Sequence, residues 1–120
     1  MSLPDNSIAQ NSSSQASISP MDALEILKIG NQRFLEKRVL NRDLHQQVAA
    51  TSGGQWPFAV VLSCIDSRIP TEVIFDQGIG DIFNARVAGN FVNPDILGSI
   101  EYGCKVAGSK AVVVMGHTSC

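Results

Sequence analysis

Two thiols and one imidazole stand in two short segments, Cys64-Ile65-Asp66-Ser67-Arg68 and His117-Thr118-Ser119-Cys120. Sulfur and imidazole nitrogen are donors that zinc accepts, and three protein ligands in tetrahedral geometry leave a fourth position for chemistry. Two thiolates cancel the formal charge of Zn2+. Such an ion acidifies water less strongly than an all-histidine site, where the water pKa falls to about 7. The expected activity therefore rises on the alkaline side of neutrality. A disulfide between Cys64 and Cys120 is the alternative use of the thiols. It has no need of a histidine three residues before Cys120, so metal binding is the favoured reading.

Asp66 and Arg68 flank the first thiol with one residue between them. An aspartate two residues from a ligand can take the fourth metal position itself. It can also be held back by the bidentate fork of an arginine and orient a water on the metal. The competing structural roles are a helix cap for Asp66 and a surface ion pair for Arg68. His45, the other histidine, has no ligand partner at suitable spacing and is expected in solvent. Cys104 falls on an apolar helical stripe, where a free cysteine behaves as a small hydrophobe. The glycines around 78–80 and 89 fit no dinucleotide or P-loop pattern and read as tight turns.

The elements that must position these residues are legible from apolar runs. Phe58-Ala59-Val60-Val61-Leu62-Ser63 is continuous rather than alternating, which suits a parallel strand covered on both faces. Ile82 to Val87 and Ala111 to Met115 are further strands, with helical character over Pro70 to Phe75 and over Asp95 to Ala107. The latter places Ile96, Ile100, Cys104 and Ala107 along one stripe. Upstream, Ser19 is an N-cap, Pro20 the first helical residue and Asp22 a partner for the positive end of the dipole. Asp43 to Ala50 forms a weaker helix.

This order predicts an α/β fold: an open parallel sheet flanked by helices, with an N-terminal helical arm. Residues 1–18, rich in Ser, Asn and Gln, are expected as a disordered or partner-draped arm, and residues 19–120 as the folded domain. Cys64 lies just past the end of the first strand and His117 just past the end of the third. Ligands bind outside the carboxyl ends of strands in open parallel sheets, so the two segments are expected to converge.

Nine basic and eleven acidic residues give a net charge of −2 with no basic run, which excludes nucleic acid and anionic membranes as expected partners. No apolar run approaches the roughly 20 residues of a membrane span. There is no basic stretch leading into an apolar one at the N-terminus, so a soluble, cytoplasmic protein is expected. Three cysteines, an odd number, fit reduced thiols or metal ligation better than a disulfide framework.

With these residues assembled, the chain resembles the N-terminal half of a β-class carbonic anhydrase. The matching segments are Cys64 to Arg68, Ala85-Arg86-Val87-Ala88-Gly89-Asn90, Gly98-Ser99-Ile100-Glu101-Tyr102 and His117 to Cys120. The resemblance implies zinc-dependent, reversible hydration of CO2 to bicarbonate and a proton. It places Cys64, His117 and Cys120 as zinc ligands and Asp66 with Arg68 as a gating dyad, Asp66 being the fourth ligand in the closed form. Gln55 stands where some members place a substrate-binding amide, and Phe83, Ala88 and Tyr102 stand at or near apolar pocket positions. Core packing is the competing role for Phe83 and Tyr102.

The resemblance also implies a homodimer or higher homo-oligomer, with N-terminal helices embracing the neighbour and giving Ala23, Leu27 and Phe34 a groove. Family members continue past the second cysteine, so the sheet is expected to be incomplete. Three readings compete with the hydration of CO2. They are a same-scaffold hydrolase acting on carbon disulfide, a catalytically inert zinc-binding or dimerisation fragment, and a thiol redox sensor using Cys64 and Cys120.

Overall fold

The computed structural model describes residues 3–120. The continuous apolar run builds β1 (Ala59–Ser63), buried at every position, as a central strand must be. The two flanking strands are β2 (Ile82–Arg86) and β3 (Ala111–Val114), and the order in the sheet is β2-β1-β3 with both pairings parallel. The helices are α1 (Ser12–Ser17), α2 (Pro20–Leu35), α3 (Leu44–Ala50), α4 (Thr71–Ile74) and α5 (Pro94–Glu101). Among the described residues, no helix is long and apolar enough to cross a membrane.

Side chains alternate across β1, and each face finds its own cover. Ala59 and Val61 pack with Ile82, Ala111 and Val113 beneath Ala23, Ile26 and Leu27 of α2. Val60 and Leu62 pack with Phe83 and Ala85 beneath Ile96 and Ile100 of α5 and the half-buried Cys104. This second cover stops short of the edge strand. Val112 and Val114 of β3 are 42% and 65% exposed.

The α2 start is built as its sequence dictates. Ser19 caps the Asp22 N–H, Asp22 returns a bond to the Ser19 N–H, and Pro20 opens the helix. Asp43 caps α3 by accepting from the Gln46 N–H. The helix expected over residues 95–107 is in two parts, because α5 passes at Tyr102 into a wider π-helical turn, Tyr102–Val106, closed by the Ala107 N–H on the Tyr102 carbonyl. That turn brings Gly103 against the sheet. A Cβ there would lie 2.7 Å from Val60 Cγ2, so only glycine permits the approach.

The N-terminal segment differs from the arm that composition suggests, the first two residues of which lie outside the described region. Residues 3–18 dock on the chain's own body. Gln15 Nε2 donates to the Pro57 carbonyl at 2.8 Å and the Ala107 carbonyl at 2.7 Å, tying α1 to the loops that lead into β1 and β3. Ile18 is 1% exposed in the α2-side core. Arg33 and Arg42 both clasp the buried Asp76 and both bond Asn6, which also meets Gln77. Low apolar content did not prevent order, because amides at a few positions satisfy backbone and side-chain groups far away in sequence. Ala23 and Leu27 of α2 are buried against their own sheet, and Phe34 is 37% exposed.

Candidate metal centre

The chain leaves β1 towards β2 on one side and returns to β3 on the other, so the ends of β1 and β3 form the switch point of the sheet. Cys64 follows β1 directly, and the segment after β3 carries His117 to Cys120. The donor atoms of Cys64, His117 and Cys120 all lie within 4.8 Å of one another. The two Sγ atoms are 3.9 Å apart and unbonded, and all three cysteines are free.

This geometry fits zinc. Two sulfurs, each about 2.3 Å from one tetrahedral ion, stand about 3.8 Å apart. The histidine is oriented for the role: its Nδ1 meets the Thr118 carbonyl at 2.9 Å, leaving Nε2 buried without a hydrogen-bond partner. A buried ring nitrogen facing two thiols suits a metal ion as ligand.

The thiols are unlike each other. Cys64 is buried, and the Gly89 N–H, 3.3 Å from its sulfur, is the first cause of a pKa lowered to about 6, followed by His117 and the Asp66 backbone. Gly89 sits at φ +82°, a conformation natural to glycine, which aims its N–H at the sulfur. Cys120 is exposed, and the neighbouring Cys64 raises its pKa. His117 is raised, first by Cys64.

Asp66 and Arg68 form the expected pair. Asp66 Oδ1 accepts from the Arg68 backbone N–H at 2.8 Å and from Nε at 2.9 Å, and Oδ2 accepts from Nη2 at 2.6 Å. These bonds hold the carboxyl well below the usual carboxylate range. Oδ2 is also 3.8 Å from His117 Nε2, so the carboxylate borders the donor cluster while the guanidinium grips it. Arg68 Nη2 donates in addition to the Ser119 carbonyl at 3.0 Å.

Of the other expected site residues, Ala88 adjoins Gly89 and so lies near Cys64. Phe83 and Tyr102 meet edge to face at 6.2 Å between ring centres. They line a cleft of about 490 Å³ with Val60, Asn84, Pro94 and Ser99, which none of the three donors borders. Gln55 is exposed on the loop before β1, in a depression shared with Trp56 and Tyr102. Within one chain it stands at the opposite end of β1 from Cys64.

Three contacts come from two residues of a matching segment to which the sequence assigned no site role, one of them read only as a tight turn. Gly89 is that one. Arg86 is the other, its Nε donating to the Cys64 carbonyl at 2.8 Å and its Nη2 to the Asp66 carbonyl at 2.7 Å. Their position at and just beyond the end of β2, level with the end of β1, was the available signal.

Comparison with known proteins agrees with this arrangement. A family model described as carbonic anhydrase matches residues 59–120. Carbonic anhydrase 2 of Mycobacterium tuberculosis is 44% identical over 104 residues, covering 84% of this chain and 49% of the relative. The carbonic anhydrase of Mycolicibacterium smegmatis is 42% identical over 102 residues, covering 84% and 50%. The chain thus spans about half the length of the relatives it matches. Among solved structures, the β-carbonic anhydrase CcaA superposes with a TM-score of 0.60 at 25% identity, covering 81% of this chain and 49% of that one. A tetrameric β-carbonic anhydrase of Sordaria macrospora superposes with a TM-score of 0.59 at 27% identity, covering 82% and 51%. Sequence, fold and donor set agree, and the chain belongs to the β-class carbonic anhydrases.

Proposed function

We propose that this chain contributes the zinc centre of an enzyme that hydrates CO2 reversibly to bicarbonate and a proton. The observation that carries the reading is the meeting of Cys64 Sγ, Cys120 Sγ and the partnerless Nε2 of His117 at the switch point of the sheet. These three atoms would hold the ion. When bound, zinc would supply Lewis acidity that turns water into a nucleophile, and with two thiolates offsetting the charge of the ion it would do so on the alkaline side of neutrality.

The chain's own groups do the rest. Arg68 keeps Asp66 ionised and pointed at the edge of the donor cluster, where its carboxylate can accept a hydrogen bond from the attacking water. Released from Arg68, the same carboxylate, 3.8 Å from His117 Nε2, would be a further oxygen donor for the ion. CO2 is uncharged and needs an apolar wall beside this edge; Ala88, next to Gly89, would form part of it.

Gln55, Phe83 and Tyr102 belong to one contiguous stretch of surface through Tyr102. We assign them to the centre of a second copy in a homo-oligomer, as substrate-binding amide and apolar lining. Reduced thiols at the centre suit a cytoplasmic setting. Stopped-flow measurement of CO2 hydration, run alongside zinc quantification, tests the reading. Roughly one zinc per chain with hydration well above the buffer rate is expected. Full zinc loading with only the buffer rate would sink it.

A further inference from the structure

The last rung of the β1–β2 ladder pairs Ser63 with Arg86, and the Val87 N–H closes on the Ser63 carbonyl at 3.1 Å. Beyond it the backbone of β1 leaves the sheet as the loop that carries Cys64 and Asp66. At this point the Arg86 side chain takes over from the ladder. One guanidinium spans the Cys64 and Asp66 carbonyls, at 2.8 Å and 2.7 Å. Both are charge-assisted bonds, stronger than the backbone pairs they follow.

Arg86 is half-buried, and among the described residues it has no carboxylate within 4.0 Å. Its charge is directed at these two carbonyls rather than at a surface ion pair. The same strand end reaches the sulfur itself, because the turn after Arg86 brings the Gly89 N–H to Cys64 Sγ. Cys64 is therefore gripped twice from β2, at its carbonyl by a side chain and at its sulfur by a backbone amide.

We infer that Arg86 is a positioning residue for the metal centre: it fastens the Cys64 and Asp66 carbonyls to the end of β2 and so sets where the thiolate and the dyad carboxylate point. The fork is required. A lysine offers one compact cation on a flexible stem and reaches one carbonyl at a time. The part of this inference that concerns the ion rests on the zinc reading above; the part that concerns the loop does not.

The test compares the full chain with Arg86→Gln, Arg86→Lys and, as a control at the far end of β2, Ile82→Val. Amide hydrogen exchange on metal-free protein reads the loop, and cobalt(II) affinity with the sulfur-to-cobalt absorption reads the ligand geometry. For Arg86→Gln, exchange of residues 65–68 is expected to rise about tenfold. Cobalt affinity is expected to fall about 10- to 100-fold with an altered absorption. Arg86→Lys is expected to recover only part of either, and it serves as the folded comparison if the glutamine variant unfolds. Ile82→Val is expected to leave both unchanged. Loop exchange equal to wild type in both Arg86 variants, or raised no more than in the rest of the sheet, overturns the inference. A wild-type chain that takes up no cobalt, yet whose loop loosens on Arg86 substitution, overturns the zinc reading and leaves the clamp standing.

Discussion

Arg68 lies across both halves of the centre, for the same Nη2 that grips the Asp66 carboxylate at 2.6 Å donates to the Ser119 carbonyl at 3.0 Å. The guanidinium thus links the loop after β1 to the one after β3. Removing it frees the carboxylate and loosens the backbone beside Cys120. Arg68→Ala is expected to keep its zinc and to lose about 10- to 100-fold in CO2 hydration, the scale set by groups that orient a metal's surroundings. Arg68→Lys is expected to fare little better, since a single ammonium cannot reproduce the fork. Zinc analysis and stopped-flow rates on the same samples check both; a lysine variant with wild-type rates would refute the geometric argument.

The three cysteines separate by role. Cys64 and Cys120 face His117, whereas Cys104 packs with Val60, Ile96 and Ile100 on the α5 side. Cys120→Ser is expected to lower zinc content from roughly one per chain to near none after dialysis against a mild chelator. Cys104→Ser is expected to retain it. Metal analysis of the dialysed proteins decides, and equal retention in both would remove Cys120 from the ligand set.

What the sequence disclosed and what it hid follow from the range of the interactions involved. The central strand was legible because a covered parallel strand reads as a continuous apolar run, as Phe58 to Leu62 does. The convergence of Cys64 with His117 was legible because both sit just past strand ends. The docking of residues 3–18 was not. It depends on Gln15 meeting carbonyls 42 and 92 positions away and on Asn6 meeting Gln77, 71 positions away, contacts that no local pattern encodes. The role of Arg86 was hidden similarly, since a charged residue ending a strand is ordinarily solvated.

Gln15 offers a direct check of that docking. Its side-chain amide is the donor for the Ala107 carbonyl at 2.7 Å, and it shares the buried Pro57 carbonyl with the Ser109 hydroxyl. Gln15→Ala leaves a polar group short of a partner at a cost of about 1 to 3 kcal/mol. Urea unfolding of the variant against wild type is the measurement. An unchanged midpoint would mean that the segment contributes nothing to the body it lies on.

Asp81 makes stability depend on pH. It is fully buried; Oδ2 accepts from the Gly78 N–H at 2.7 Å, while Oδ1 has no partner. Burial pushes the carboxyl up to about 6. A folded-state pKa above the unfolded value of about 3.9 favours the protonated form in the fold. Its stabilising contribution is therefore complete below about pH 4 and lost as pH rises through about 6. Asp81→Asn keeps an acceptor for Gly78 and cannot ionise. Relative to this variant, wild type is expected to lose on the order of 2 to 3 kcal/mol of unfolding free energy between pH 4 and 7. Parallel pH profiles for the two proteins would assign the dependence elsewhere.

The separation of Gln55 from Cys64 along β1 leads to a complementation experiment. If Gln55 of one copy serves the zinc of another, a Gln55→Ala chain still holds a metal centre but cannot complete its neighbour's. A Cys64→Ser chain lacks a centre but still lends its glutamine. Each variant alone is expected to be nearly inactive. In a dimer that pairs them, the zinc of the first chain meets the glutamine of the second, so one centre of two is whole. Random mixing of equal amounts makes about half of the dimers of this kind, and activity is expected to return to roughly a quarter of wild type. A mixture no more active than its components would place Gln55 outside the neighbour's centre. Recovery that tracks the appearance of mixed dimers during subunit exchange would show that the centre is completed between chains.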